Sequence, residues 1–267
     1  MIERLRCLLL AAGLGTRLRP YTDEWPKCLM PIQGQPLLQY WLDSAREVGA
    51  ERVFINLHHL PEIVESFLEN PELDGWVEPI HERDLKGTAG TIRQNLKLLE
   101  GGTTLLVHAD NFCITNFRDF VNFHKYYRPK HCPITMMTFR TWDPSSCGIV
   151  EVDSNNVVCS FFEKASNPPG NLANGAVYLL ESEVLDWLSE RPSISDFSTE
   201  VLPNFIGRIA TWYNDSIHID IGSIESFIMA NSLAVSKSIS TVGSNKKFLE
   251  KYGSHPTYEL MKSKLEN

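Results

Sequence analysis

The sequence predicts an α/β fold built on a mostly parallel central sheet with a small antiparallel extension. Three observations carry this expectation. Apolar strand-like runs alternate with helical patterns through the first half of the chain, the first run ends in a glycine-rich loop, and the second half changes to strands joined by short turns. With 267 residues, 43% hydrophobic and 22% charged, the chain has enough apolar material for one large domain with a sizeable core.

Residues 5–12 form a continuous apolar run, the pattern of a strand buried on both faces of a parallel sheet. Leu37, Leu38, Trp41, Leu42, Ala45 and Val48 then recur at helical spacing and stop at Gly49. Arg52 to Leu57 reads as a second strand, Pro61 to Leu68 as a helix opened by proline, and Trp76 to His81 as a third strand, an alternation that implies right-handed βαβ units. Ile92, Leu96 and Leu99 continue one helical pattern, Thr103 to Ala109 is a fourth strand, and Phe117 to Phe123 is helical.

Ile134 to Thr141, Gly148 to Val152 and Val157 to Phe162 are expected as successive strands, separated by turns at Asp143-Pro144 and residues 153–156. They would form the antiparallel extension, a lid over one side of a site. Ala176 to Leu180 and Ile209 to Tyr213 are further strands; residues 183–190 and Ile224 to Val235 are helices, and Asp196 is a helix cap. The polar stretch 236–267 is expected to be a C-terminal helical tail, with an amphipathic segment at Tyr258 to Leu265 and its lysines forming a solvated surface. No hexapeptide repeat follows it.

The stretch Leu8 to Pro31 has the composition of an anion-binding loop. Ala11, Ala12, Gly13 and Gly15 carry little or no side chain, so backbone N–H groups there can approach a phosphate closely. Arg17 adds a planar fork of donors and Lys27 a mobile point charge. The dinucleotide fingerprint fails because Leu18 stands where its third glycine belongs, and the Gly-Lys-Ser/Thr of a Walker A loop is absent. Asp110 follows the fourth strand, on the rim where ligands of such sheets bind, and offers a hard oxygen ligand for Mg²⁺; a helix cap or turn former is the alternative. Gly87 and Gly90, at a helix start, would let a flat ring lie against the backbone; a glycine-rich helix start with no ligand is the alternative.

Composition narrows the partners. A net charge of −8 and a pI near 5.5 argue against nucleic acid as the main partner. The six cysteines form no Cys-x-x-Cys pair and suit small buried side chains in a reducing cytoplasm. No stretch of 18 apolar residues and no secretory leader is present, so no membrane span is expected. A homo-oligomer is left open.

The motifs Gly13-Leu-Gly-Thr-Arg-Leu-Arg-Pro20 and Pro26-Lys27, followed by Gly34-Gln-Pro-Leu37, resemble the signature of the sugar-1-phosphate nucleotidyltransferases. Cys28 departs from it, standing where that family usually has a second proline. Four further segments resemble the family in order. They are the Gly-Thr-Ala-Gly run at 87–90 with Lys86 inserted before it, Asp110 preceded by Ala109, Glu163-Lys164 followed by Ala165, and Asp220-Ile-Gly-Ser with Ile224 for proline. Cys147-Gly148 and Asn174-Gly175 match more loosely.

The resemblance covers roughly residues 5–235. It implies a three-layer α/β/α fold of the nucleotide-diphospho-sugar transferase type, with a catalytic domain over 1–235 and the tail over 236–267. It implies a reaction of a nucleoside triphosphate with a sugar 1-phosphate to give an NDP-sugar and pyrophosphate. Arg17, Lys27, Asp110 and Lys164 would be catalytic, and Asp110 and Asp220 would hold Mg²⁺. Ala11, Ala12, Gly13, Gly15, Thr16, Arg17, Gly87, Thr88 and Ala89 would bind the nucleotide. Gly148, Glu163, Lys164 and Asn174 would bind the sugar. GTP with mannose 1-phosphate is the expected pair; uridylyl, thymidylyl or cytidylyl transfer to another sugar phosphate, such as a heptose or an amino sugar, is the alternative. A retaining glycosyltransferase would need an Asp-x-Asp motif, which Asp110-Asn111-Phe112 is not. A non-catalytic NDP-sugar-binding subunit would not need Arg17, Lys27, Asp110 and Asp220 intact.

Overall fold

A computed structural model of the chain describes residues 4–239 and 245–266, and the remainder of the tail, 240–244 and 267, lies outside them. In chain order it begins with β1 (Leu5–Leu10), α1 (Tyr21–Glu24), the two short strands β2 (Pro31–Ile32) and β3 (Gln35–Pro36), α2 (Leu37–Glu47), β4 (Arg52–Leu57), α3 (Pro61–Leu68) and β5 (Val77–His81). The bounds of β1, α2, β4 and α3 follow the hydrophobic periodicity closely, because each of these elements buries an apolar set, whereas β5 has no fully covered residue. Leu37, Leu38, Trp41, Leu42 and Ala45 form the covered face of α2, and five of the six β4 residues are buried.

The single helix expected through Ile92 to Leu99 is two, α4 (Thr88–Gln94) and α5 (Leu96–Leu99). Asn95 separates them with φ −113° and ψ 18°, and its side-chain amide bonds back to the Thr91 carbonyl. β6 (Thr103–His108) follows, then a turn at Ala109-Asp110 and β7 (Asn111–Ile114), a short strand that the sequence pattern did not indicate. Next come α6 (Phe117–Tyr126), β8 (Ile134–Arg140), β9 (Gly148–Val152), β10 (Val158–Glu163), β11 (Leu172–Leu180), α7 (Ser182–Ser189), β12 (Ile209–Tyr213), β13 (Ile217–Asp220) and α8 (Ile224–Ser236). The tail carries α9 (Lys246–Tyr252) and α10 (Pro256–Glu266). Among the described residues no helix is long and apolar enough to cross a membrane.

The chain divides into two compact units. One comprises the segment as far as Leu8, Lys86–Val107 and Thr115–Ser216; the other comprises Leu9–Leu85, His108–Ile114 and Ile217 onward. In the first unit β11 is the organising strand. It pairs antiparallel with β6 along Val177 to Leu180, with β8, and with β9 at Ala173. β9 and β10 form an antiparallel hairpin, and β12 runs parallel to β8. β8 is therefore paired with β11 and β12, and the contiguous three-strand extension expected from residues 134–162 reduces to the β9–β10 hairpin.

In the second unit β4 and β5 are parallel, as a βαβ connection through α3 requires. β13 and β7 are antiparallel, with Asp220 opposite Asn111. α8 starts at a capping box in which the Ser223 hydroxyl accepts the Ser226 N–H, so a serine pair supplies the helix start that Ile224 in place of proline leaves to be made.

Candidate active site

The second unit gathers the cationic loop and both strand-end aspartates. The loop leaves β1 at Leu10, whose carbonyl accepts the Ala109 N–H at 3.0 Å, so the residue preceding Asp110 lies beside the loop's first residue. Asn56, at the end of β4, accepts the Ala11 N–H at 2.7 Å and donates to Glu82 Oε1 at 3.0 Å. Both Asn56 and Glu82 are buried. This carboxylate-backed amide occupies the Ala11 N–H, and any anion on the loop meets the amides beyond it.

Gly15 is held at φ +64°, a left-handed conformation, with Thr22 packed where a Cβ would sit 2.8 Å from its methyl group. The Thr22 hydroxyl donates to the Gly15 carbonyl at 2.8 Å, and Thr16 to Leu18 form a 3-10 turn that leaves Thr16 and Arg17 exposed. Gly13 is exposed, and a Cβ there would meet nothing within 4 Å.

Lys27 is the centre of this arrangement. It begins a 3-10 turn, Lys27–Leu29, and its side chain is only 7% exposed. Its ammonium lies 2.5 Å from Asp110 Oδ2 and 3.1 Å from Asp220 Oδ1. Burial disfavours the charged ammonium, but the two carboxylates outweigh it and raise the Lys27 pKa. Burial pushes Asp110 the other way, and the Lys27 and His108 charges overcome it, holding the carboxyl below its usual range. The Ile221 N–H donates to the Asp110 carbonyl at 3.1 Å, fixing the two strand ends against one another. Arg17 reaches Asp220 Oδ2 at 3.3 Å, and Gly222 leaves the room for that contact, since a Cβ there would stand 2.7 Å from the guanidinium and 2.8 Å from the carboxylate.

Two aspartates converging on one cation make a donor set suited to a small hard divalent ion. Among the described residues no group of three or more His, Cys, Asp or Glu side chains gathers for a metal. A pair of carboxylates with the other positions left to phosphate oxygens is how Mg²⁺ is commonly held, so the residues fit it. Cys28, which replaces the expected proline, is fully buried, and burial pushes its thiol up to about 12; it is a packing residue.

The first unit gathers the other candidates around the turn 195–198. Ala89 and Gly90 both direct their N–H groups to the Ser195 carbonyl, at 2.8 and 3.2 Å. Gly87 sits at φ +73°, and a Cβ there would lie 2.4 Å from the same carbonyl. These glycine-run amides thus have a partner within the protein. The Thr88 hydroxyl accepts the Phe197 N–H at 2.7 Å, while Asp196 caps the following turn by accepting the Thr199 N–H at 2.7 Å, the role expected of it.

Glu163 ends β10 and Lys164 opens the turn after it, their charged atoms 3.8 Å apart, the carboxylate largely covered and the ammonium 68% exposed. Burial raises the Glu163 pKa, partly offset by Lys164, and Asp196 adds to the rise. Gly148 gives Glu163 its space, since a Cβ there would come within 2.6 Å of Oε2. Asn174 lies within β11 rather than before it, at an irregularity between Asn174 and Tyr178, and its amide donates to the Tyr178 hydroxyl at 2.6 Å. Tyr178 packs on Phe197 with ring centroids 5.0 Å apart. Gly87, Thr88, Ala89, Glu163 and Asn174 are thereby linked through one turn.

Asn56, Glu82, Thr22 and Tyr178 were not singled out from the sequence. Only Asn56 carried a signal, a polar residue at the carboxyl end of a strand.

Glycine loop, lysine and paired strand-end carboxylates thus lie together in one unit of an α/β protein. The nucleotidyl transferase family model matches residues 6–237, and the chain belongs to that family. It is 27% identical over 235 residues to a mannose-1-phosphate guanylyltransferase of Mycobacterium tuberculosis, covering 86% of this chain and 64% of that protein. It is also 27% identical over 237 residues to a mannose-1-phosphate guanylyltransferase catalytic subunit beta of Drosophila melanogaster, covering 86% of this chain and 63% of the relative. The chain thus spans less than two thirds of the length of these curated relatives. A solved UDP-glucose pyrophosphorylase bound to UDP-glucose matches with a TM-score of 0.74 at 22% identity, covering 89% of this chain and all of the other. That likeness shows the fold: α/β with a mixed, mostly parallel central sheet, helices on both sides and small antiparallel sheets.

Proposed function

We propose that the chain is a sugar-1-phosphate nucleotidyltransferase that condenses a nucleoside triphosphate with a sugar 1-phosphate, with GTP and mannose 1-phosphate as the preferred pair. The observation that carries this reading is the convergence of Asp110 and Asp220 on Lys27 beside the glycine loop. Family membership supports the reaction class, and the names of the curated relatives support the substrate pair. The absence of a long apolar helix among the described residues and the sequestered thiols of Cys7, Cys28, Cys113 and Cys132 support a cytoplasmic setting.

In this reaction an ionised oxygen of the sugar phosphate attacks the α-phosphorus, the bond to the β-phosphate breaks, and pyrophosphate leaves with the electron pair. The nucleophile needs no general base, so the residues align groups and neutralise charge. Asp110 and Asp220 would hold Mg²⁺, which would supply positive charge to offset that of the phosphates. Arg17, exposed at the loop, binds the departing β,γ-phosphates, and Lys27 binds the phosphate chain near the reacting centre. Ala12, Gly13, Gly15 and Thr16 line the phosphate path from Ala11 onward, and Gly87, Thr88 and Ala89 border the base. Lys164 takes the sugar phosphate, while Glu163, Asn174 and the open backbone at Gly148 take the sugar.

A pyrophosphate-release assay with each of four nucleoside triphosphates against a panel of sugar 1-phosphates tests the reading. Release only with GTP and mannose 1-phosphate is the expected result. Release with another pair corrects the substrates, and release with none overturns the reaction.

A further inference from the structure

The turn that carries Lys27 is gripped from both sides by helices outside the family match. Trp25, two residues before Lys27, has no exposed surface, and its indole N–H donates to the Leu29 carbonyl at 2.9 Å, spanning the Lys27–Leu29 turn. Four rings from the tail surround this indole: Phe248 and Tyr252 of α9 at centroid distances of 6.0 and 6.2 Å, His255 at 5.4 Å, and Tyr258 of α10 at 5.1 Å. Polar contacts extend the grip to both flanks. The Thr257 hydroxyl donates to Glu24 Oε2 at 2.8 Å on one side, and the Tyr258 hydroxyl donates to the Gly34 carbonyl at 2.9 Å on the other.

We infer that α9 and α10 form a clamp that sets the position of Lys27 through Trp25, making Trp25 and Tyr258 positioning residues for the transfer step. The inference rests on the proposed role of Lys27 at the phosphate chain. A lysine side chain has four rotatable bonds, and its ammonium can serve two carboxylates at 2.5 and 3.1 Å only if its backbone turn is held still. The turn itself is three residues long and carries two backbone hydrogen bonds, Leu29 N–H to the Pro26 carbonyl at 3.0 Å and Met30 N–H to the Lys27 carbonyl at 3.1 Å, and the Trp25 indole closes it from outside. Aromatic rings supply the rest, because each buries a large area and loses little conformational freedom in doing so. The family match ends at residue 237, so this support is added by the segment beyond it.

The test compares Trp25→Phe and Tyr258→Phe, which keep a ring but remove one hydrogen bond each, in the chain of residues 1–267 and again in a Lys27→Met background. In the parent background each should lower kcat for pyrophosphate release, Trp25→Phe by about ten-fold, with KM for both substrates within about two-fold. In the Lys27→Met background, where residual release is followed at high protein concentration, neither should lower kcat further, because the clamp acts through that ammonium. Leu260→Ser, on the exposed side of α10, should leave kcat unchanged. Parent-like kcat in both variants, or the same fractional loss in both backgrounds, overturns the clamp. Parent-like activity of Lys27→Met instead overturns the role given to Lys27, a separate result from a failed clamp.

Discussion

The ammonium of Lys27 lies 2.5 Å from a carboxylate oxygen of Asp110, although 83 residues separate them in sequence. Because Lys27 is buried, this pair and the contact to Asp220 hold a charge that would otherwise be costly to cover. Asp110→Asn removes the nearer anion while Asp220 still answers the lysine. Pyrophosphate release is expected to fall by about 10²–10³-fold or more, with the far-ultraviolet circular dichroism of the parent retained. Near-normal turnover would remove Asp110 from the chemistry.

The same geometry makes the lysine and a divalent ion rivals for two carboxylates. Mn²⁺ binding followed by electron paramagnetic resonance, in the absence of nucleotide, should therefore tighten in Lys27→Met by about ten-fold. It should be lost in Asp220→Asn. Equal Mn²⁺ affinity in the parent and in Asp220→Asn would exclude Asp220 as a ligand.

Two glycines of the candidate site should respond oppositely to alanine. Gly87→Ala places a methyl 2.4 Å from the Ser195 carbonyl at a φ of +73°, so a loss of about 1–3 kcal/mol is expected as a lower urea midpoint. Gly13→Ala meets no protein atom within 4 Å and should change stability by less than about 0.5 kcal/mol. A raised KM for the nucleotide in stable Gly13→Ala would report a phosphate approaching the backbone there; an unchanged KM would place the phosphates elsewhere.

Acid sensitivity of the first unit should centre on His124. Its Nδ1 lies 2.7 Å from the Thr135 hydroxyl and its Nε2 2.7 Å from Glu181 Oε1. Burial lowers the His124 pKa below the ordinary 6.5, and Glu181 offsets this only in part. The folded imidazole thus takes up its proton at lower pH than the unfolded one. Its stabilising contribution is complete above pH 6.5 and is lost as pH falls from 6.5 through the lowered value. The Glu181 carboxyl is held below its ordinary 4.5, first by the hydrogen bond from His124, and extends the same trend to more acid pH. His124→Gln should be less stable at pH 7.5 by about 1–3 kcal/mol, and its Tm should vary less between pH 6.5 and 5. A Tm profile parallel to the parent's would assign the acid response to other groups.

Much of the site is legible in the amino-acid order because it depends on local requirements. A small-residue loop after an apolar run, a lysine following proline, and aspartates at strand ends are readable from residue type and spacing alone, and the bounds of α2, β4 and α3 follow from periodicity. Periodicity says which face of an element is covered but not what covers it. That is why the meeting of Lys27 with Asp110 and with Asp220, 193 residues away, needed the tertiary structure. It is also why Asn56 and Glu82, ordinary polar residues in sequence, emerged as the support of the loop's first amide only when folded.

The tail makes the same point most sharply. The lysines at 246, 247 and 251 read as a solvated surface, yet Lys251 donates to Ser66, and Phe248 from the same helix is buried against Trp25. A short helix with one buried ring gives no periodic signal. The chain by itself specified a small-residue loop with its cations and the acids at the strand ends. Which cation those acids share, and which distant helices hold it in place, was settled by contacts between residues far apart in sequence, whose energies no local pattern contains.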